Sequence, residues 1–200
     1  MPRFARLIPL LLAVLVLVPG CTTLQQVAAL RQVDFDIDRV SNAFLAGVDV
    51  DRVRTYGDLR ATDVARLTAA AARREMPLAF TLHLNAENPA DNPAPARLVR
   101  LDWTLFIDDT ETVSGVYNDE RLIEPGRTAD IPVGIELDLF RFFGDNARDL
   151  IDLGLNLAGA GGSPTRLTVR AQPTINTAFG PIRYPGTITI SHTVGRGARG

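Results

Sequence analysis

Apolar and polar residues alternate along much of this chain, and that period of two predicts β-strands. Val33-Asp34-Phe35-Asp36-Ile37-Asp38 alternates apolar with acidic, and the segment from Val48 to Val53 nearly repeats it. Pro77 to Glu87 gives the clearest strand. Leu78, Phe80, Leu82, Leu84 and Ala86 share one face, and Ala79, Thr81, His83, Asn85 and Glu87 share the other. Leu101, Trp103, Leu105 and Ile107 define the next strand, with Asp102, Thr104, Phe106 and Asp108 opposite. On that pattern Trp103 is a core residue, while Phe106 is left to meet a helix or a partner. Thr112 to Tyr117 is a weaker strand. Ile131, Val133, Ile135, Leu137 and Leu139 alternate with Asp130, Pro132, Gly134, Glu136 and Asp138. Pro132 lacks an amide donor, so this strand is expected at a sheet edge or with a bulge. Leu167, Val169 and Ala171 mark another strand, and Pro181 to Thr193 the last.

Two segments switch to helical spacing. Thr62 and Asp63 are expected to open the first helix, with Thr62 as its cap. Val64, Leu67 and Ala71 would share its inner face, Arg73 and Arg74 would suit its C-terminal dipole, and Pro77 would stop it. The second is expected from about Asn146 to Leu157, capped by Asp145 and ended by Gly159 to Gly162. Leu150, Ile151, Leu153 and Leu157 give it a broad apolar face. The loop from Asn88 to Pro95 contains three prolines, and Glu124-Pro125-Gly126 is a turn signal. Roughly seven alternating strands separated by such turns predict an antiparallel β-sandwich of immunoglobulin or fibronectin type with two inserted helices.

The N-terminus follows a different rule. Arg3 and Arg6 precede an apolar run from Leu7 to Val18, and Gly20 stands before Cys21. The run is about 12 residues, too short for a spanning helix of roughly 20. Basic start, short apolar middle and small residue before the cut define a secretory signal. Val18-Pro19-Gly20-Cys21 reads as a lipobox, with Cys21 the site of lipidation. Cys21 is the only cysteine, so no intramolecular disulfide can form. The expected organisation is a signal peptide over 1–20, a tether over 21–32, one domain over 33–194 and a loose tail over 195–200. The tether, from Thr22 to Gln32, would reach about 35–40 Å if fully extended. Thr22 follows the cysteine where an aspartate would indicate inner-membrane retention. The expected location is therefore the outer membrane, facing the periplasm, held by N-terminal acyl chains.

Composition adds exclusions. The chain has no lysine, and cleavage at Cys21 leaves 180 residues with 19 arginines against 23 acidic side chains, a net −4. That balance, without a basic cluster, is not that of a nucleic-acid binder.

The ordered motifs resemble the late-embryogenesis-abundant type 2 family, also called the water-stress and hypersensitive-response (WHy) domain, in its bacterial lipoprotein branch. They are Phe80-Thr-Leu-His-Leu-Asn-Ala-Glu-Asn-Pro89, Leu101-Asp-Trp-Thr-Leu-Phe-Ile-Asp108, Val113-Ser-Gly115, Ile131-Pro-Val-Gly-Ile-Glu-Leu137 and Tyr184-Pro-Gly-Thr-Ile-Thr-Ile190. The family's usual Asn-Pro-Asn is here Asn88-Pro89-Ala90, followed by a longer loop. The residue before a proline is pushed to extended backbone, and an asparagine side chain can bond the turn. Asn88 and Pro89 are thus expected to end one strand and redirect the chain. The resemblance implies a sandwich without established catalysis, associated with desiccation or osmotic stress.

Candidate chemistry is sparse. Asp34, Asp36 and Asp38 fail the EF-hand pattern, because Arg39 and Leu45 stand where it needs Gly and Glu. His83 and His192, the only histidines, fall on polar strand faces and are expected to meet solvent; no third His completes a zinc site. No Gly-x-Ser-x-Gly elbow marks a hydrolase, although composition alone does not exclude a Ser-His-Asp arrangement. The glycines at 159, 161 and 162 lack the Gly-Lys-Ser/Thr ending of a phosphate loop. The sequence therefore predicts a non-catalytic envelope lipoprotein, without a cofactor, that binds an unidentified envelope component or protects under stress. The alternative is a carrier of lipid or another apolar ligand.

Overall fold

The structure, a computed structural model, describes residues 32–144, 146–159, 164–177 and 180–194. Cys21, the signal segment, most of the tether, Asp145 and the 195–200 tail lie outside them.

Two antiparallel sheets pack face to face. The first has the order β2-β1-β3-β7, from β1 (Asp34–Leu45), β2 (Val48–Asp49), β3 (Pro77–Asn88) and β7 (Arg127–Asp138). The second has the order β10-β8-β4-β5, from β4 (Ala96–Ile107), β5 (Thr110–Tyr117), β8 (Thr165–Thr177) and β10 (Ile188–Val194). Two short strands extend it, β6 (Arg121–Ile123) beside β4 and β9 (Gly180–Arg183) beside β8. Alternation supplies the core: Leu78, Leu82 and Leu84 of β3 and Ile131 and Ile135 of β7 bury one face against Leu101, Leu105 and Val169 of the other sheet. β7 is an edge strand, so Pro132, opposite His83, removes no ladder bond on its free side.

The helices are α1 (Ala61–Arg73), a short α2 (Leu139–Phe143) directly after β7, and α3 (Ala147–Leu157). Thr62 is not the cap of α1. Arg60 holds that position in extended backbone, and Asp63 reaches back from the first turn to accept its amide at 3.1 Å. Asp63 also takes the Arg52 guanidinium at 2.8 Å, which ties α1 to the segment after β2. The buried side of α1 is Asp63, Leu67 and Ala70, while Val64 is 49% exposed. α1 ends at Arg73, four residues before Pro77; Arg74 then turns left-handed (φ 57°) and the Glu75 amide returns to the Ala70 carbonyl. α3 is capped by the Asn146 side chain, which accepts the Arg148 amide at 3.2 Å. Gly154 lets α3 lie against β1, since a Cβ there would come within 2.7 Å of Leu45.

Two predicted strands were overlong. Only Val48 and Asp49 of the 48–53 run pair, because β1 and β2 close through Ala46 and left-handed Gly47 and the chain turns again after Asp49. The last run splits into β9 and β10 around the bend at 185–186.

Candidate functional site

The outward face of the first sheet carries the most organised polar chemistry. β1 reaches it through two irregularities. Alternation from Val33, Phe35 and Ile37 would drive Arg39 and Ser41 inward. A register shift between Ile37 and Arg39 reverses the parity, so that Arg39 pairs with His83 and Ser41 with Thr81. A second shift follows between Ser41 and Phe44, with Asn42 in the left-handed region (φ 52°).

This register brings together side chains from three strands. His83 Nε2 lies 2.9 Å from Ser41 Oγ, and His83 Nδ1 lies 2.9 and 3.0 Å from the two Asp130 oxygens. The consistent tautomer has Nδ1–H donating to Asp130 and Nε2 accepting the Ser41 hydroxyl proton. Arg39, a donor only, stands beside them: its Nη1 pairs with Asp38, and its Nη2 lies 3.1 Å from Nδ1 and 3.9 Å from Asp130. The Asn42 amide nitrogen is 3.4 Å from Ser41 Oγ. His83 is not the solvent-facing residue its strand position predicts: its side chain is 12% exposed, because Arg39, Ser41 and Asp130 surround it. A shallow cleft of about 420 Å³, lined by Asn42 and by Thr81, the cross-strand partner of Ser41, runs over Ala79, Gly134 and Glu136. Nothing would touch a Cβ on Gly134, so the cleft floor there is open.

An apolar groove of about 530 Å³ opens at the β1–β2 turn end of the sandwich, lined by Phe44, Leu78, Val113, Leu137 and Phe142. Phe44 is 44% exposed at its mouth. Arg141 and Glu136 bring charge to the rim, while Asp138 is occupied in capping, accepting the Phe140 amide at 2.9 Å and the Met76 amide at 3.2 Å.

The outer face of the second sheet satisfies its own polar groups. Asp102 takes Arg100 at 2.6 Å and Arg183 at 2.9 Å, and hydroxyls pair across strands as Thr104–Ser114 and Thr168–Ser191. Phe106 is covered by the Arg170 guanidinium, 4.3 Å above its ring, a cation–π contact within the same sheet rather than with a helix.

Of the residues singled out in the sequence, Asn88 is fully buried at the end of β3, Pro89 begins the loop to β4, and Trp103 is 8% exposed within the core cluster. His192 is half-buried on β10, and Asp34, Asp36 and Asp38 are exposed along β1. Among the described residues no group of three or more His, Cys, Asp or Glu is placed to hold a metal ion, and no helix is long and apolar enough to cross a membrane.

Three carboxyls are held below the ordinary aspartate range. Arg52 and the Arg60 amide do this for Asp63, the Arg54 and Thr55 amides for Asp58, and Arg100, then Arg183, for Asp102. Their folded pKa values lie below the unfolded ones, so each contributes stability above about pH 4 that is lost as pH falls through the folded value. The melting temperature should therefore hold from pH 7 to 5 and drop between pH 4 and 2. Asp63→Asn should start lower and show a shallower drop. Identical acid profiles for the two proteins would remove Asp63 from this account.

No protein-family model matches the chain, and no curated protein matches it. Among solved structures it is similar to a crystal structure of a protein from Archaeoglobus fulgidus, at TM-score 0.36 and 12% identity over 79% of this chain and 95% of that one. It is similar to the solution structure of AT1g01470 from Arabidopsis thaliana, at TM-score 0.38 and 16% identity over 62% and 74%. It is also similar to the solution structure of At2g46140.1, described as a late embryogenesis abundant (LEA) protein, at TM-score 0.37 and 12% identity over 94% and 84%.

Proposed function

We propose that this protein is a lipid-anchored envelope protein of the bacterial lipoprotein branch of the type 2 LEA family. Its sandwich would bind or shield other envelope components under desiccation or osmotic stress. The stress role asks for no turnover and no cofactor. The reading is supported by where the first strand begins relative to the expected anchor at Cys21. β1 begins at Asp34, a short tether after Cys21, and runs away from that end for twelve residues, roughly 35–40 Å. The tether end therefore holds the Asp34–Glu87 and Asn88–Arg127 pairs, and the far end presents Phe44 and the apolar groove. The anchor would sit in the outer membrane and the domain in the periplasm. One acyl chain holds a protein only marginally and two or more hold it stably, so lipidation at Cys21 decides whether the domain stays at the surface.

Cys21→Ser should abolish incorporation of a fatty-acid label and release the protein from the membrane fraction; labelling at the wild-type level would remove the anchor. The function itself is tested by survival of a deletion strain after drying and osmotic shock. Rescue by wild type and not by Cys21→Ser is expected. A strain without a defect under either stress would overturn the reading.

The groove favours a second reading, a carrier of lipid or another apolar ligand, because its walls are two phenylalanines, two leucines and a valine. Organic extraction of the purified protein followed by mass spectrometry should then release a bound lipid, and Phe44→Asp should lose it. Extracts without lipid would leave the groove as a packing defect at the sandwich end.

A further inference from the structure

We propose that Ser41 is a nucleophile for acyl transfer, activated by His83 and Asp130, and that its substrates are small neutral carboxylic esters. This goes beyond the stress role and rests on different residues. The connectivity is the one acyl transfer requires: hydroxyl to Nε2, Nδ1 to a carboxylate, all at 2.9–3.0 Å. The three residues come from three strands already joined by backbone ladders and an apolar inner face, so their contacts are not needed to hold β1, β3 and β7 together. Ser41 also sits where β1 is irregular, immediately before left-handed Asn42, and non-glycine residues held there cluster at reactive sites.

Ser41 Oγ attacks the ester carbonyl carbon while its proton passes to His83 Nε2. The carbon–oxygen bond to the alcohol breaks, and the alcohol leaves with that proton. Water then gives a proton to Nε2 and its oxygen attacks the acyl carbon. The carboxylic acid leaves, and Ser41 Oγ recovers the proton. Asp130 fixes the imidazole orientation and stabilises its charged form. The Asn42 amide, 3.4 Å from Oγ, is the side-chain donor placed for the oxyanion. The cleft over Ala79, Thr81 and Gly134 is shallow and takes a short acyl group, and Glu136 on its wall disfavours an anionic one.

The test uses full-length protein purified in detergent. A fluorophosphonate probe should phosphonylate Ser41, the P–F bond breaking as HF leaves, and give one adduct by intact mass and peptide mapping. Hydrolysis of p-nitrophenyl acetate and butyrate is measured alongside. Ser41→Ala should take no adduct and hydrolyse at the buffer rate. His83→Gln, which keeps the serine, should lose about 10²-fold or more of both rates. Circular dichroism checks that each variant is folded. The proposal is overturned if wild type takes no adduct, if the adduct maps elsewhere, or if Ser41→Ala hydrolyses as fast as wild type. The stress reading does not use Ser41, so the survival assay stands or fails separately.

Discussion

Trp103→Ala should lower the unfolding free energy by about 3–5 kcal/mol, the range for truncating a large aromatic in a closed core. Trp103 is 8% exposed and sits between two small cross-strand partners, Gly115 on β5 and Ala171 on β8. The indole lies over Gly115 so closely that a Cβ there would stand 2.4 Å and 2.8 Å from two ring atoms. Nothing within the sheet can refill that space when the ring is removed, because both flanking positions carry almost no side chain. The complementary change acts in the opposite sense. Gly115→Ala forces the ring to shift and should cost about 1–3 kcal/mol by overpacking. Combined with Trp103→Ala it should cost little more than Trp103→Ala alone, a coupling that distant sites do not show. Urea unfolding followed by far-ultraviolet circular dichroism measures all three, since Trp103 is the only tryptophan and its fluorescence goes with it. A loss under about 1 kcal/mol for Trp103→Ala would mean the site collapses freely.

The strands with unbroken alternation were legible in the sequence. β3 needed only its period of two, and Pro132 limited β7 to an edge or a bulge, of which the sheet order gives the edge. What the sequence concealed were the places where the period breaks. Val33, Phe35 and Ile37 set an alternation that β1 abandons at Asp38 and Arg39, and no residue there is a glycine or proline that would announce the shift. The Ser41–His83–Asp130 contact depends on that shift and on pairings 42 and 47 residues apart, so neither linear motif nor spacing reports it. One partial signal existed: on the outward face of β3 His83 is the only ring, among Ala79, Thr81, Asn85 and Glu87. The helix caps failed for a related reason. Thr62 has the right chemistry, but Asp63, one residue later, satisfies the Arg60 amide and an arginine at once, and the helix starts earlier to suit it.

Asn88→Ala should cost about 2–5 kcal/mol, a large loss for a residue at the end of a strand. Asn88 is fully buried. Its amide nitrogen donates to the Ile123 carbonyl at 2.8 Å and the Ala94 carbonyl at 3.3 Å, and its amide oxygen accepts from the Asn92 side chain at 2.6 Å. Ile123 belongs to β6 in the second sheet, so this one side chain joins β3, the loop after Pro89 and the opposite sheet. Alanine removes the donor and the acceptor while their partners stay in the interior, and each buried polar group left without a partner costs about 1–3 kcal/mol. Asn88→Asp separates the two halves of the effect. It keeps the acceptor for Asn92 but turns a donor into a negative charge against the Ile123 carbonyl, so it should unfold at least as easily as alanine. If Asn88→Asp were as stable as wild type, the Ile123 and Ala94 contacts would contribute nothing and Asn88 would act only as a turn former before Pro89. Equal, large losses in both variants would instead identify the buried amide as the clamp between sheets, which explains why the loop can lengthen past Ala90 without loosening the sandwich.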